Sequence, residues 1–450
     1  MKRLICSTTV VLMLHTFACA IGAAAAEPAE PETVTMFGNT YSLVPDDELR
    51  ALGFEFPDLT LDENAATYYL KAIEAYVEPA RGSGLSRLRD EVMAGRCTDA
   101  SGALVPYLED NKKALELIEQ AAAQDGCHFP VVLPLGESLE TMSVAEILLR
   151  YLAGMREFAR FVVTEGKARE FERRYEDALD AYRLALRIGN HAAQGPTLIE
   201  GLVGIACNMI GMRAIEQCLV RYELDEHALA MAQLRVHELS KQRPSVVTAM
   251  RGERVWSTSV VESLIDHPKG LRSFVGEAVW RFVLRSEEGQ EQMRHDVRAF
   301  WDEIEQALEL PLPEFIKTGA GEEPIRKAKA RKFPPNIMSA LGPALARVRT
   351  TYGLNEVSWI VLDIEFALAR YADEHGMYPQ TLDELKPLML TDGIDPFSGK
   401  PLHYRLEPDG GYTIWSVGEN LVDDGGVAAK GVRWRQADYV WNSALIAGTD

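Results

Sequence analysis

Cysteine is scarce, six residues in 450, and no two stand in a C-x-x-C spacing, so neighbouring residues supply neither a zinc ribbon nor a redox dithiol. H-E-x-x-H, G-x-S-x-G, G-x-x-x-x-G-K-[ST] and G-x-G-x-x-G are all missing. A zincin, an α/β-hydrolase elbow, a P-loop and a Rossmann turn therefore lack their local parts. Basic residues are in deficit, 47 Lys and Arg against 67 Asp and Glu, for a formal net charge of -20. Such a surface repels phosphates and argues against a nucleic-acid partner. Beyond the first 26 residues no uninterrupted apolar run reaches bilayer length, so no membrane span is expected once that segment is removed.

What is present is globular composition, 47% hydrophobic and 25% charged, at a length that suggests two or three domains. Lys2 and Arg3, an apolar stretch around Val10 to Leu14, and the small residues Ala23 to Ala26 ahead of Glu27 read as a secretory signal over 1–26. The expected location is the periplasm, the extracellular space or the cell surface. Cleavage leaves Cys97, Cys127, Cys207 and Cys218. Cys207 and Cys218 share one predicted helix, where eleven residues hold them about 16 Å apart, too far to bridge. Cys97 and Cys127 sit in Gly-containing turns at opposite ends of a helical segment. That placement admits a disulfide across a helical hairpin or two buried thiols.

The predicted fold is mainly α. Residues 27–62, with Pro28, Pro31, Pro45 and Pro57, read as an irregular arm with one short helix near Asp46 to Leu52. Over 63–310 the apolar spacing is helical throughout, giving an all-α domain. A helix follows Asn64, another opens near Pro106, and a third carries Ile147 to Val162. Further helices are expected at about 168–188, 196–220, 226–241, 246–265 and 276–308. Glu253-Arg254 reads as a buried ion pair, and His237-Glu238 as a solvated face without a second histidine one turn on. Residues 311–336, with five prolines and the basic run Arg326 to Lys332, read as a linker. Residues 337–450 form an α+β unit. Val357 to Tyr371 mark a helix ending at Gly376, Thr381 and Glu384 form a capping box, and Leu402 to Leu406 and Tyr412 to Ser416 form a hairpin, with Asp438 to Trp441 as a third strand.

Arg174-Tyr175-Glu176-Asp177-Ala178-Leu179, with Ala181-Tyr182 and Ala185-Leu186, resembles the second helix of a tetratricopeptide unit, with Arg173 where that unit has Gly. The helical domain is therefore irregular and helical-repeat-like. In the last quarter, Leu368-Ala369-Arg370-Tyr371, Gly376-Met377-Tyr378-Pro379, Leu382-Asp383-Glu384-Leu385, Asp395-Pro396-Phe397-Ser398-Gly399 and Trp415-Ser416-Val417-Gly418 resemble the soluble domain of the type II secretion major (G-type) pseudopilin. A pseudopilin begins with a peptidase-recognised leader and transmembrane helix, whereas here the unit follows a helical module, so a pilus-subunit role is not implied. The whole order is similar to a group of exported bacterial proteins of unknown activity. The resemblance implies a Ca²⁺ loop at Ser416 to Gly426, with Asn420, Asp423 and Asp424 as side-chain ligands and Asn420 standing where the family offers Asp. The competing reading of these residues is a solvated acidic turn.

These features point to an exported, non-catalytic binding or scaffolding protein of the cell envelope, with an envelope or secreted protein as partner and a link to secretion or surface assembly. The alternative is a secreted hydrolase using carboxylates in a groove of the helical domain. No required cofactor is implied.

Overall fold

Three consecutive helices form the body of the molecule: α6 (Tyr151–Phe171), α7 (Tyr175–Ala192) and α8 (Leu198–Arg221). They belong to a computed structural model that describes residues 33–36, 38–97, 101–137, 149–266, 286–330, 338, 347–427 and 436–447. The signal segment 1–26 lies outside these residues. The helix expected over 168–188 is in fact divided by a turn at Arg173, whose φ of 61° is left-handed. Glycine takes that conformation freely and arginine does not, so this inter-helix turn forms against the residue's own preference. Gly189 and Gly204 let α7 and α8 come close: a Cβ at Gly204 would stand 2.4 Å from the Gly189 carbonyl oxygen. A Thr197–Glu200 capping box opens α8. This helix is long and apolar enough to cross a membrane, but about two thirds of its apolar window is buried, packed among α6 and α7.

Around this body lie, among the described residues, five earlier helices: α1 (Asp46–Leu52), α2 (Ala65–Ala75), α3 (Gly84–Met93), α4 (Ser101–Asp110) and α5 (Lys112–Ala122). Pro106 does not open a helix; it lies inside α4, and the break comes at Asn111. The Asn111 side chain accepts from the Val77 N–H at 2.7 Å and donates to the Val77 carbonyl at 3.2 Å, which explains the interruption. The first part of the chain is not purely α. Strands β1 (Thr33–Met36), β2 (Asn39–Leu43) and β3 (Val132–Leu133) make a small antiparallel sheet, so the arm expected to be irregular holds a hairpin. Then come α9 (Glu226–Lys241), capped by Asp225, α10 (Val246–Asp266) and α11 (Glu287–Leu308).

The expected linker is largely helical. α12 (Leu312–Thr318) and α13 (Glu323–Ala330) seat Leu312, Phe315, Ile325 and Ala328 in the core. Prolines did not prevent this, because Pro311 and Pro313 fall at the N-cap and first turn of α12, where a missing N–H costs nothing. Arg326 pairs with Glu323, and Lys327 with Glu303 of α11, so these members of the basic run neutralise the chain's own acids.

The long helix α14 (Val348–His375) ends at Gly376, whose φ of 72° is the left-handed C-terminal cap. Every side chain from Val357 to Leu368 except Ile360 is buried, the signature of a helix with neighbours on all sides. Trp359, Leu362 and Phe366 join the core of α6 to α9, while Val357, Val361, Ile364 and Leu368 join the core of the C-terminal sheet. After a Thr381–Glu384 capping box and the short pair β4 (Ile394–Asp395) and β5 (Lys400–Pro401), that sheet follows. It consists of β6 (His403–Leu406), β7 (Tyr412–Ser416) and β8 (Tyr439–Asn442), antiparallel in chain order, with Tyr404 opposite Ile414 and Ile414 opposite Trp441. The helix α15 (Ser443–Ala447) then returns to α8.

Candidate functional site

The loop after β7 was the first candidate. Asn420 turns its amide nitrogen toward Asp424 Oδ2 at 2.9 Å and the Gln436 carbonyl at 3.1 Å, while its oxygen accepts from the Val422 N–H. Asp423 Oδ1 accepts from the Trp415 indole and the Gly425 N–H, each at 2.9 Å, and the indole bond holds this carboxyl below its usual range. Asp438 accepts from the N–H groups of Asp424 and Gly426, and burial raises its carboxyl. The proposed ligands thus share one loop, but Asn420 Oδ1, Asp423 Oδ1 and Asp424 Oδ2 each already accept a hydrogen bond from the protein. As arranged, this donor set does not fit a hard cation, which wants several converging oxygens. Among the described residues no group of three or more His, Cys, Asp or Glu is disposed to hold a metal ion.

The Cys97–Cys127 bridge is not formed. Cys127 is a buried free thiol in the main core, pushed well up by burial, whereas Cys97 packs in a separate cluster with Val92, Leu104 and Ala168. Cys207 and Cys218 are buried free thiols, as their helical spacing predicts. The Glu253–Arg254 pair is also absent. Arg254 instead reaches Asp302 and Glu305 of α11, at 2.9 and 2.8 Å. Adjacent helical residues point about 100° apart, so they cannot readily meet. Burial pushes Glu253 up to about 7, opposed by a hydrogen bond from the Leu198 backbone at the start of α8. His375 stacks on Tyr371 at the end of α14, and His403 on Trp415.

Among the described residues, sequence reading missed several buried ionisable clusters, because their members stand far apart or lie on apolar faces. In the first, Lys167 Nζ donates to both oxygens of Glu170, at 2.9 and 3.0 Å, and Tyr182 donates to Glu170 Oε1 at 2.6 Å. Lys167 and Glu170 are 1% and 3% exposed, which closes them to a substrate. In the second, Glu200 receives Tyr151 and both the N–H and the hydroxyl of Thr197; burial raises it. The third joins the two halves of the molecule. Glu216 of α8 and Glu365 of α14 are 4% and 1% exposed. Tyr412 of β7 donates to Glu365 Oε1 at 3.2 Å, and Arg213 reaches Glu216 Oε2 at 3.4 Å, while Glu365 Oε2 has no partner. Burial, then the charge of Glu216, holds Glu365 well above the ordinary carboxyl range. Like-charged neighbours in a dry site share a proton rather than both ionise. The one signal in sequence was a glutamate inside the run Ile364 to Leu368.

A further polar hub ties the same parts. Asp363 accepts from the Leu390 N–H, the Thr391 N–H and hydroxyl, and Gln233 of α9, all between 2.7 and 2.9 Å. Arg370 adds bonds to Glu226 and Gln233 of α9. Comparison with family models, with curated proteins and with solved structures returns no match.

Proposed function

We propose that this chain is an exported, non-catalytic binding or scaffolding protein of the cell envelope, in the periplasm or at the cell surface. Its tetratricopeptide-like array and pseudopilin-like unit would act as one frame that presents a docking surface to an envelope or secreted protein, in secretion or surface assembly. The observation that carries this reading is that large apolar side chains lie exposed on loops and turns of both parts, Leu61, Val77 and Leu135 in the helical part and Met377, Val422 and Val427 in the C-terminal unit, while the buried ionisable clusters are sealed in the interior. Exposed apolar groups on the turns of a rigid scaffold suit recognition, and sealed carboxylates suit structure.

The rival hydrolase reading has one supporting feature, Glu253, half-buried beside the N-terminus of α8 and titrating near 7. The test is crosslinking of the mature protein in envelope extract, comparing wild type with a Met377→Asp, Val427→Asp variant. A partner captured by wild type and lost from the variant supports the proposal. Turnover in a hydrolase panel, abolished by Glu253→Gln, would overturn it.

A further inference from the structure

Cys97, Cys127, Cys207 and Cys218 are all free thiols, so no disulfide ties the described elements together. Another pair of side chains is placed to be joined. Tyr175 opens α7, and Tyr222 is the residue at which α8 ends. A short turn connects the two helices, which therefore form a hairpin, and these tyrosines meet at its open end. Their rings stack, with centroids 4.5 Å apart and planes 19° from parallel. Both residues are half-buried, and among the described residues neither hydroxyl is a buried group lacking a partner, so both rings reach the surface.

Tyr76–Tyr107 and Tyr378–Tyr412 also meet ring to ring, but their planes stand at 76° and 85°. Tyr107 and Tyr412 are only 4% and 2% exposed, and their hydroxyls are committed to Tyr76 at 2.6 Å and Glu365 at 3.2 Å. Stacked rings set carbon against carbon, whereas an edge-to-face pair sets ring hydrogens against a face. Stacking, access and an open hydroxyl thus coincide at Tyr175 and Tyr222.

We infer that Tyr175 and Tyr222 form a site of oxidative cross-linking, joined Cε to Cε as dityrosine by hydrogen peroxide acting through a haem peroxidase. Each phenol gives up one electron and its hydroxyl proton, and the resulting phenoxyl radical carries spin on its Cε carbons. The Cε–Cε bond forms between the two radicals, and the hydrogen on each bonded carbon moves to its own ring oxygen. The two hydrogen atoms removed from the hydroxyls reduce the peroxide, whose O–O bond breaks to give two waters. Burial, ahead of the charge of Glu170, pushes the Tyr222 hydroxyl up to about 12, so at neutral pH its proton leaves together with the electron. The product is a covalent tie across the open end of the α7–α8 hairpin. It requires no partner protein and is independent of the docking reading.

The test treats the mature protein with hydrogen peroxide and a haem peroxidase. Dityrosine fluorescence, mobility on a denaturing gel and mass spectrometry of tryptic peptides are then read. The expected product fluoresces, migrates as a single chain and yields a peptide pair joined at Tyr175 and Tyr222. Tyr175→Phe and Tyr222→Phe each keep the stacked ring but lack the hydroxyl, and each should lose the emission. Tyr378→Phe should keep it. Emission undiminished in Tyr175→Phe or Tyr222→Phe, cross-links that map to other tyrosines, a product that joins separate chains, or no dityrosine at all would overturn the assignment.

Discussion

The two flanks of α14 are built from different chemistry. Toward the sheet, Val357, Val361, Ile364 and Leu368 meet Phe397, Tyr412 and Ile414 in an apolar layer. Toward the helical array, Trp359, Leu362 and Phe366 are interleaved with Asp363, Arg370 and Gln233, whose hydrogen bonds fix one helix against another. The apolar flank gives cohesion that tolerates small slips. The polar flank does not, because a shifted register would leave buried donors unmet. Both flanks thus tie the C-terminal unit to the array through buried contacts of α14.

The largest expected effect is on the apolar flank. Phe397→Ala should cost about 3–5 kcal/mol by cavity formation, measured as the denaturant midpoint of the intact chain, and the loss should register in the helices as well as in the sheet. On the polar flank, Asp363→Ala strands four donors and should cost about 2–3 kcal/mol, with Asp363→Asn recovering part of it. Equal costs for Ala and Asn would show that the hydrogen bonds are not what matters there.

Between the flanks lies the Glu216–Glu365 pair, whose sign in pH is fixed. Burial and Glu216 raise Glu365 above its unfolded value of 4.5, so the folded chain keeps a proton that the unfolded chain has released. Its contribution is full below pH 4.5 and declines as pH rises through the folded value. Glu365→Gln should flatten that decline in a series of melts from acid to alkaline pH, and a slope left unchanged would place the proton elsewhere. The smallest effect is expected at the loop after β7. Because one side-chain oxygen of each of Asn420, Asp423 and Asp424 already accepts an internal hydrogen bond, millimolar Ca²⁺ should move the melting temperature little, and Asp424→Ala should stay within about 0.5 kcal/mol of wild type. A clear stabilisation by Ca²⁺, lost in that variant, would show that the loop rearranges around the ion.

Local signals made much of this legible. Thr381 and Glu384 mark the short helical turn after α14, Gly376 the end of α14, and the alternation at Leu402 to Ser416 the hairpin. Each is decided by residues a few positions apart. What stayed hidden depends on distant partners. Val132–Leu133 is a strand only because β2 lies beside it, some ninety positions earlier. Residues 311–336 read as a linker because prolines are counted there without regard to where in a helical turn they fall, as Pro311 and Pro313 do at the start of α12. Glu365 carried no visible partner because Glu216 and Tyr412 come from two other elements.

The central claim is that α14 makes the array and the C-terminal sheet one cooperative body. It is tested most directly by hydrogen-exchange mass spectrometry of the intact chain across a guanidinium series, reading peptides from α7 and from β6–β7. The account predicts that both lose protection at a common denaturant concentration. Sheet peptides that open well before α7, leaving the helices protected, would contradict it.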